Sequence, residues 1–133
     1  HEAYDSYRFH GTVPSKEMAD WAPSFLPEGY IESKRTDLGT LMEITYDCKD
    51  LDMWITFSYL RLAEGSGFDL DNEHHVVTEI SVQGMDGYLY TASEDKLNAV
   101  VWFNETLRYG FLLSSRLPPD TLLKVAESVN TKS

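Results

Sequence analysis

The sequence predicts an α+β fold: an antiparallel meander sheet of about six or seven strands, with a C-terminal helix on one face and a short N-terminal helix. Three observations lead there. Several short runs alternate apolar and polar residues with the period of two that a half-buried strand shows. Turn residues separate these runs at short intervals. An apolar stripe with helical spacing closes the chain, and such a stripe needs one sheet face to cover.

Residues 1–14 read as a linker or tail, and 15–133 as a single domain. Ser15 is placed to N-cap a short helix over Lys16 to Trp21, which Pro23 ends. Leu26-Pro-Glu-Gly-Tyr30 is a turn signal running into the first strand, Tyr30 to Asp37. Asp37-Leu-Gly39 turns into the second strand, Leu41 to Cys48. There Met42, Ile44, Tyr46 and Cys48 alternate with Glu43, Thr45 and Asp47. The third strand, Leu51 to Leu60, puts Met53, Ile55, Phe57 and Tyr59 on one face and Trp54 on the other.

Leu62 to Asn72 reads as the one extended loop, with Gly65, Gly67, Asp69 and Asp71. A fourth strand over Val76 to Val82 leads through a Gly84-Met-Asp-Gly87 turn into a fifth, Tyr88 to Ala92. The last hairpin is Asn98 to Phe103, a turn at Asn104-Glu-Thr106, and Leu107 to Leu113. Apolar residues on both of its faces predict central strands. Pro119 suits the first helical position and Asp120 the first turn. Leu122, Val125, Ala126 and Val129 follow i, i+3, i+4, i+7 spacing, widened by Leu123.

Composition narrows the function. The chain has 133 residues and a formal net charge of -11, with 22 Asp plus Glu against 11 Lys plus Arg. That balance speaks against nucleic acid and anionic membrane surfaces, which demand clustered cations. Cys48 is the single cysteine, so an internal disulfide is impossible; it is expected to be buried and inert. No apolar run reaches the ~20 residues of a membrane span. The chain starts at His1, so it is expected to be an excised piece whose anchor lies elsewhere.

Candidate chemistry is sparse. Asp69, Asp71 and Glu73, with His74 and His75, offer oxygen and nitrogen donors for a cation. Gly67 precedes the ligands, however, and no bidentate Glu closes the loop, so a solvated acidic loop is expected and no metal or other cofactor. Neighbouring histidines on a strand face opposite ways, which disfavours a paired zinc site. Asn104-Glu-Thr106 matches a glycosylation sequon but sits where a hairpin needs a turn Asn. Ser114-Ser115 lacks the setting of a nucleophile elbow. Three Trp, eight Tyr and six Phe raise a different possibility. Trp54, Tyr88 and Tyr90, near the acidic Asp69, Asp71 and Glu73, would make an exposed aromatic binding surface with an acidic rim. The bland alternative is a second small core under the segment carrying Trp21 and Phe25.

Trp21-x-Pro-Ser-Phe-Leu-Pro-Glu-Gly-Tyr30, Asp69-x-Asp-x-Glu73, Val82-x-Gly84-x-x-Gly87-Tyr88, Val101-Trp102-Phe103, Phe111-Leu-Leu-Ser114 and Leu122-Leu-Lys-Val-Ala-Glu-Ser-Val129 follow one another in order. Over Ser15 to Asn130 the chain thereby resembles a bacterial domain-of-unknown-function family common in Gram-positive organisms. Members often form the outer, C-terminal part of anti-sigma-factor-like or other single-span membrane proteins. The Leu-Pro-Glu-Gly-Tyr entry is also distantly similar to the C-terminal domain of periplasmic sigma regulators. The resemblance implies an extracytoplasmic, membrane-tethered domain that senses or binds a protein or peptide partner, with no catalytic residue to carry over. The other classes are a hydrolase using acidic residues and a structural lipoprotein-type domain.

Overall fold

The computed structural model describes residues 4–8, 18–62, 67–71, 75–92 and 97–131. Seven antiparallel strands form the main sheet. In chain order they are β3 (Ile31–Asp37), β4 (Leu41–Cys48), β5 (Met53–Arg61), β7 (His75–Val82), β8 (Met85–Ala92), β9 (Asn98–Asn104) and β10 (Tyr109–Ser115). Two small ribbons flank it: β1 (Tyr4–Arg8) with β6 (Gly67–Asp71), and β2 (Trp21–Pro23) with β11 (Val129–Thr131). Helix α1 spans Pro119–Glu127.

The fold is therefore mainly β, not α+β, and the short N-terminal helix is absent from the described residues. Residues 18–20 are irregular and Trp21–Pro23 is a strand; Ser15 to Glu17 lie outside the described residues. Tertiary pairing overrides the local helix signal here. Trp21 pairs with Thr131 and Pro23 with Val129, while Pro23 offers no N–H to continue a helix. Residues read as a tail supply β1, and residues read as a loop supply β6, with Tyr7 opposite Phe68.

The sheet order β3-β4-β5-β10-β9-β8-β7 is not one meander. The chain runs β3 to β5, crosses to the far edge, and returns through β7 to β10, which closes against β5. The β9–β10 hairpin consequently sits at the centre, as its two apolar faces predict. The β7–β8 turn is the two-residue Gln83-Gly84, both with positive φ (53° and 80°). This geometry matches the strand twist. Gly87 consequently lies inside β8 and not in the turn. A Cβ there would sit 2.5 Å from the Val101 carbonyl oxygen and 2.9 Å from the Trp102 Cβ.

The two sheet faces are covered differently. On one, Ile44, Tyr46, Cys48, Ile55, Phe57, Val100, Trp102, Phe111 and Leu113 are buried with Leu122, Val125 and Ala126 of α1 and with Trp21 and Tyr30. Each buried Val, Leu or Phe of this kind contributes about 1.5–3 kcal/mol. Pro119 occupies the first turn with Asp120, and Ser128 caps the C-terminus through Val125 O. Val129 is buried but belongs to β11, not to the helix. The Gln83 side chain donates to the carbonyls of Glu127 (3.0 Å) and Val129 (2.7 Å), joining the β7–β8 tip to the helix end. Cys48 is a buried free thiol, as expected. On the second face Leu60, Leu62, Phe68, Tyr90, Ala99 and Val101 form a smaller core under the β1–β6 ribbon.

Candidate functional site

Strand parity decides where each candidate residue falls. Ile55, Phe57 and Tyr59 point into the helix-side core, so Trp54, Thr56 and Ser58 project from the second face. The ribbon β1–β6 covers that face at the Leu60 and Gly110 end: the Phe68 ring lies against Gly110, 3.2 Å from where a Cβ would stand. Leu60 and Trp54 are six steps apart along β5, about 20 Å at the rise of a strand. The Trp54 end is open. Trp54 is 40% exposed and Ile31 62%. Register sets Ile31 opposite Asp47 and Asp47 opposite Trp54, so the three share one row across β3, β4 and β5. The next row holds Lys34, Thr45 and Thr56. The Ser115 hydroxyl donates to the Trp54 carbonyl (3.1 Å) and fixes the strand beneath the indole.

The other proposed patch members do not join it. Tyr90 is fully buried, which corrects its assignment to an exposed surface. Its hydroxyl is 2.5 Å from that of Tyr7, and its ring meets His75 edge-on. Tyr88 is half-buried, 5.9 Å from the Tyr7 ring. The physical reason is β1, whose Tyr7 lies over Tyr88, Tyr90 and Phe103. Asp69 is exposed on β6, at the covered end and away from Trp54. The backbone of Asp71 pairs with Tyr4, while its side chain and all of Glu73 and His74 lie outside the described residues. Trp54 therefore stands apart from Tyr88, Tyr90 and Asp69, which gather at the ribbon-covered end.

A feature absent from the sequence reading lies on the β7–β8 hairpin. A shallow notch of about 460 Å³ is lined by Glu79, Ile80, Ser81, Asp86, Gly87 and Tyr88. A second, about 230 Å³, shares Asp86 and adds Glu105 near Phe103. Glu79 sits opposite Tyr88 and Ser81 opposite Asp86, so all four side chains are on the ribbon-covered face. The signal was available: the two-residue Gln83-Gly84 turn fixes these pairs.

Burial acts on three phenols of the helix-side core. Burial, followed by the Glu32 carboxylate, pushes the Tyr46 phenol up to about 12. Burial likewise raises Tyr59 and Tyr30. These phenols stay neutral near pH 7. Arg35 is raised by its hydrogen bond to Glu32, with which it forms a 3.0 Å surface ion pair. Among the described residues no three His, Cys, Asp or Glu come together as a metal-ligand set.

One seven-stranded antiparallel sheet, with a helix on one face and a ribbon over half of the other, defines a mainly-β domain with an open face. The chain belongs to the family described as Domain of unknown function (DUF4367), which matches residues 20–129. No curated protein matches it.

Proposed function

We propose that this is a non-catalytic, partner-binding domain that works outside the cytoplasm as part of a membrane-tethered, anti-sigma-factor-like protein. The observation that carries the binding role is Trp54, a large indole left exposed at the end of the second face that the ribbon does not cover. Trp is the residue most often found as a binding anchor, and an apolar centre with a polar rim is the usual anatomy of such a patch. Here Ile31 lies in the same row, with Asp47, Lys34, Thr45 and Thr56 around it. The extracytoplasmic and tethered setting is supported by the ordered motifs described above. Among the described residues no helix is long and apolar enough to cross a membrane, so the tether would be another segment.

Capture from a native host extract tests the binding role. Trp54→Ala removes an exposed side chain and is expected to leave the circular dichroism spectrum unchanged. The wild-type domain should retain a partner that the variant loses. Equal capture by both folded proteins would remove Trp54 as an anchor.

A further inference from the structure

A sheet edge presents a row of unpaired main-chain donors and acceptors, and proteins usually blunt it. The main sheet has two edges, β3 and β7. The β3 edge is blunted in two ways. Its register shifts between Glu32 and Lys34, leaving a bulge, and it carries Lys34 and the Arg35–Glu32 ion pair. The β7 edge has neither device. Its eight residues, His-Val-Val-Thr-Glu-Ile-Ser-Val, pair with β8 without a register shift. Neither β7 nor β8 contains Lys, Arg or Pro. Val76 is 69% and Val77 40% exposed at this edge.

The turn fixes which groups face outward. A two-residue turn with both φ positive makes Val82 and Met85 a hydrogen-bonded pair, and bonding alternates from there. Ile80 and Thr78 therefore bond inward to β8, while the main-chain groups of Ser81, Glu79 and Val77 point away from it. The tip is held in place: the Gln83 N–H donates to the Glu127 carboxylate, and its side chain to the helix-end carbonyls. An incoming strand would meet a preformed edge.

The surroundings specify its chemistry. On one face it would run beside Val76, Thr78 and Ile80. On the other it would run beside Val77, Glu79 and Ser81, above the notch that Asp86 also lines. Glu105 borders the adjoining notch. We infer that the β7 edge accepts an extended peptide as an added strand, with apolar residues alternating with Lys or Arg, the cations lying over Glu79 and Asp86. A second copy of this chain is a poorer occupant, because each copy carries a net charge of -11. This surface lies four strands from Trp54 in the sheet order, about 19 Å across, so it is independent of the anchor proposed above.

The probe is a short synthetic peptide alternating Lys and Val, dye-labelled and titrated against the intact chain by fluorescence anisotropy. Saturable binding is expected, weakened about tenfold or more by Glu79→Lys and by rising salt. Methylating alternate amides of the peptide should weaken it similarly, since strand addition depends on main-chain bonds. Val77→Pro removes one outward N–H and leaves the inward ladder intact, and should have the same effect. The peptide modification carries the test if that variant misfolds. Trp54→Ala should change nothing. Equal binding of the methylated peptide would overturn strand addition, equal binding of a Glu/Val peptide would overturn the cationic occupant, and an absence of saturable binding would overturn both. Dimerisation of the chain abolished by Val77→Pro would overturn the peptide assignment and give the edge to a second copy. Loss of peptide binding in Trp54→Ala would overturn the location without touching the capture result for Trp54.

Discussion

Val125→Asp is expected to abolish cooperative folding. Val125 is fully buried on α1, in the same core cluster as Trp102, Phe111 and Leu113. The helix has nine residues and is too short to persist alone, so its stability comes from docking this stripe. A carboxylate at position 125 would lie between helix and sheet with no cation from α1 on that side. Lys124 points outward, its ammonium 5.2 Å from the Phe25 ring centre. Burying an unpaired charge costs several kcal/mol, against a total stability of about 5–15 kcal/mol for a domain. Far-ultraviolet circular dichroism with thermal melting should show a lost or sharply lowered transition. A melting temperature equal to wild type would mean that α1 does not dock through Val125.

The second large effect is expected at Trp102. Its indole is fully buried and stacks on Phe111 at 5.2 Å between ring centres. It stands opposite Gly87, and glycine is the residue that leaves room beside it. Trp102→Ala would open a cavity against a rigid sheet backbone, which cannot collapse to fill it. Losses of about 3–5 kcal/mol accompany such truncations. For a chain of this length that is a fall of roughly 10–20 °C in melting temperature. Urea unfolding should show a lower midpoint with an unchanged slope. A loss below about 1 kcal/mol would mean that Trp102 is not the centre of the helix-side core.

What was legible in the sequence follows from what local pattern encodes. β4 and β5 were readable because Ile44, Tyr46 and Cys48, and Ile55, Phe57 and Tyr59, keep strict alternation over eight or nine residues. The helix was readable from Pro119, Asp120 and its stripe. The two ribbons were not. β2 and β11 have three residues each, too few for a period, and their partners lie more than a hundred residues apart. Asp69 and Asp71 made β6 read as loop, although Phe68 and Leu70 alternate with them. The candidate site divides in the same way. Trp54 follows from parity alone, because its neighbours Met53 and Ile55 face the helix side. Tyr88 and Tyr90 depend on what lies above them, and only the fold places Tyr7 there. The β7 edge needed the strand order, since the chain jumps from β5 to the far side of the sheet.

Exposure of Trp54 at the open sheet end underlies the proposed binding role, and acrylamide quenching of tryptophan fluorescence tests it most directly. Of the three tryptophans, Trp54 is 40% exposed, whereas Trp21 and Trp102 are 8% and 0% exposed. The native protein should therefore show one accessible and two protected components, and Trp54→Phe should lose the accessible one while keeping its melting temperature. Quenching as efficient in Trp54→Phe as in the wild type would show that this end of the sheet is covered, and would contradict the binding surface proposed for it.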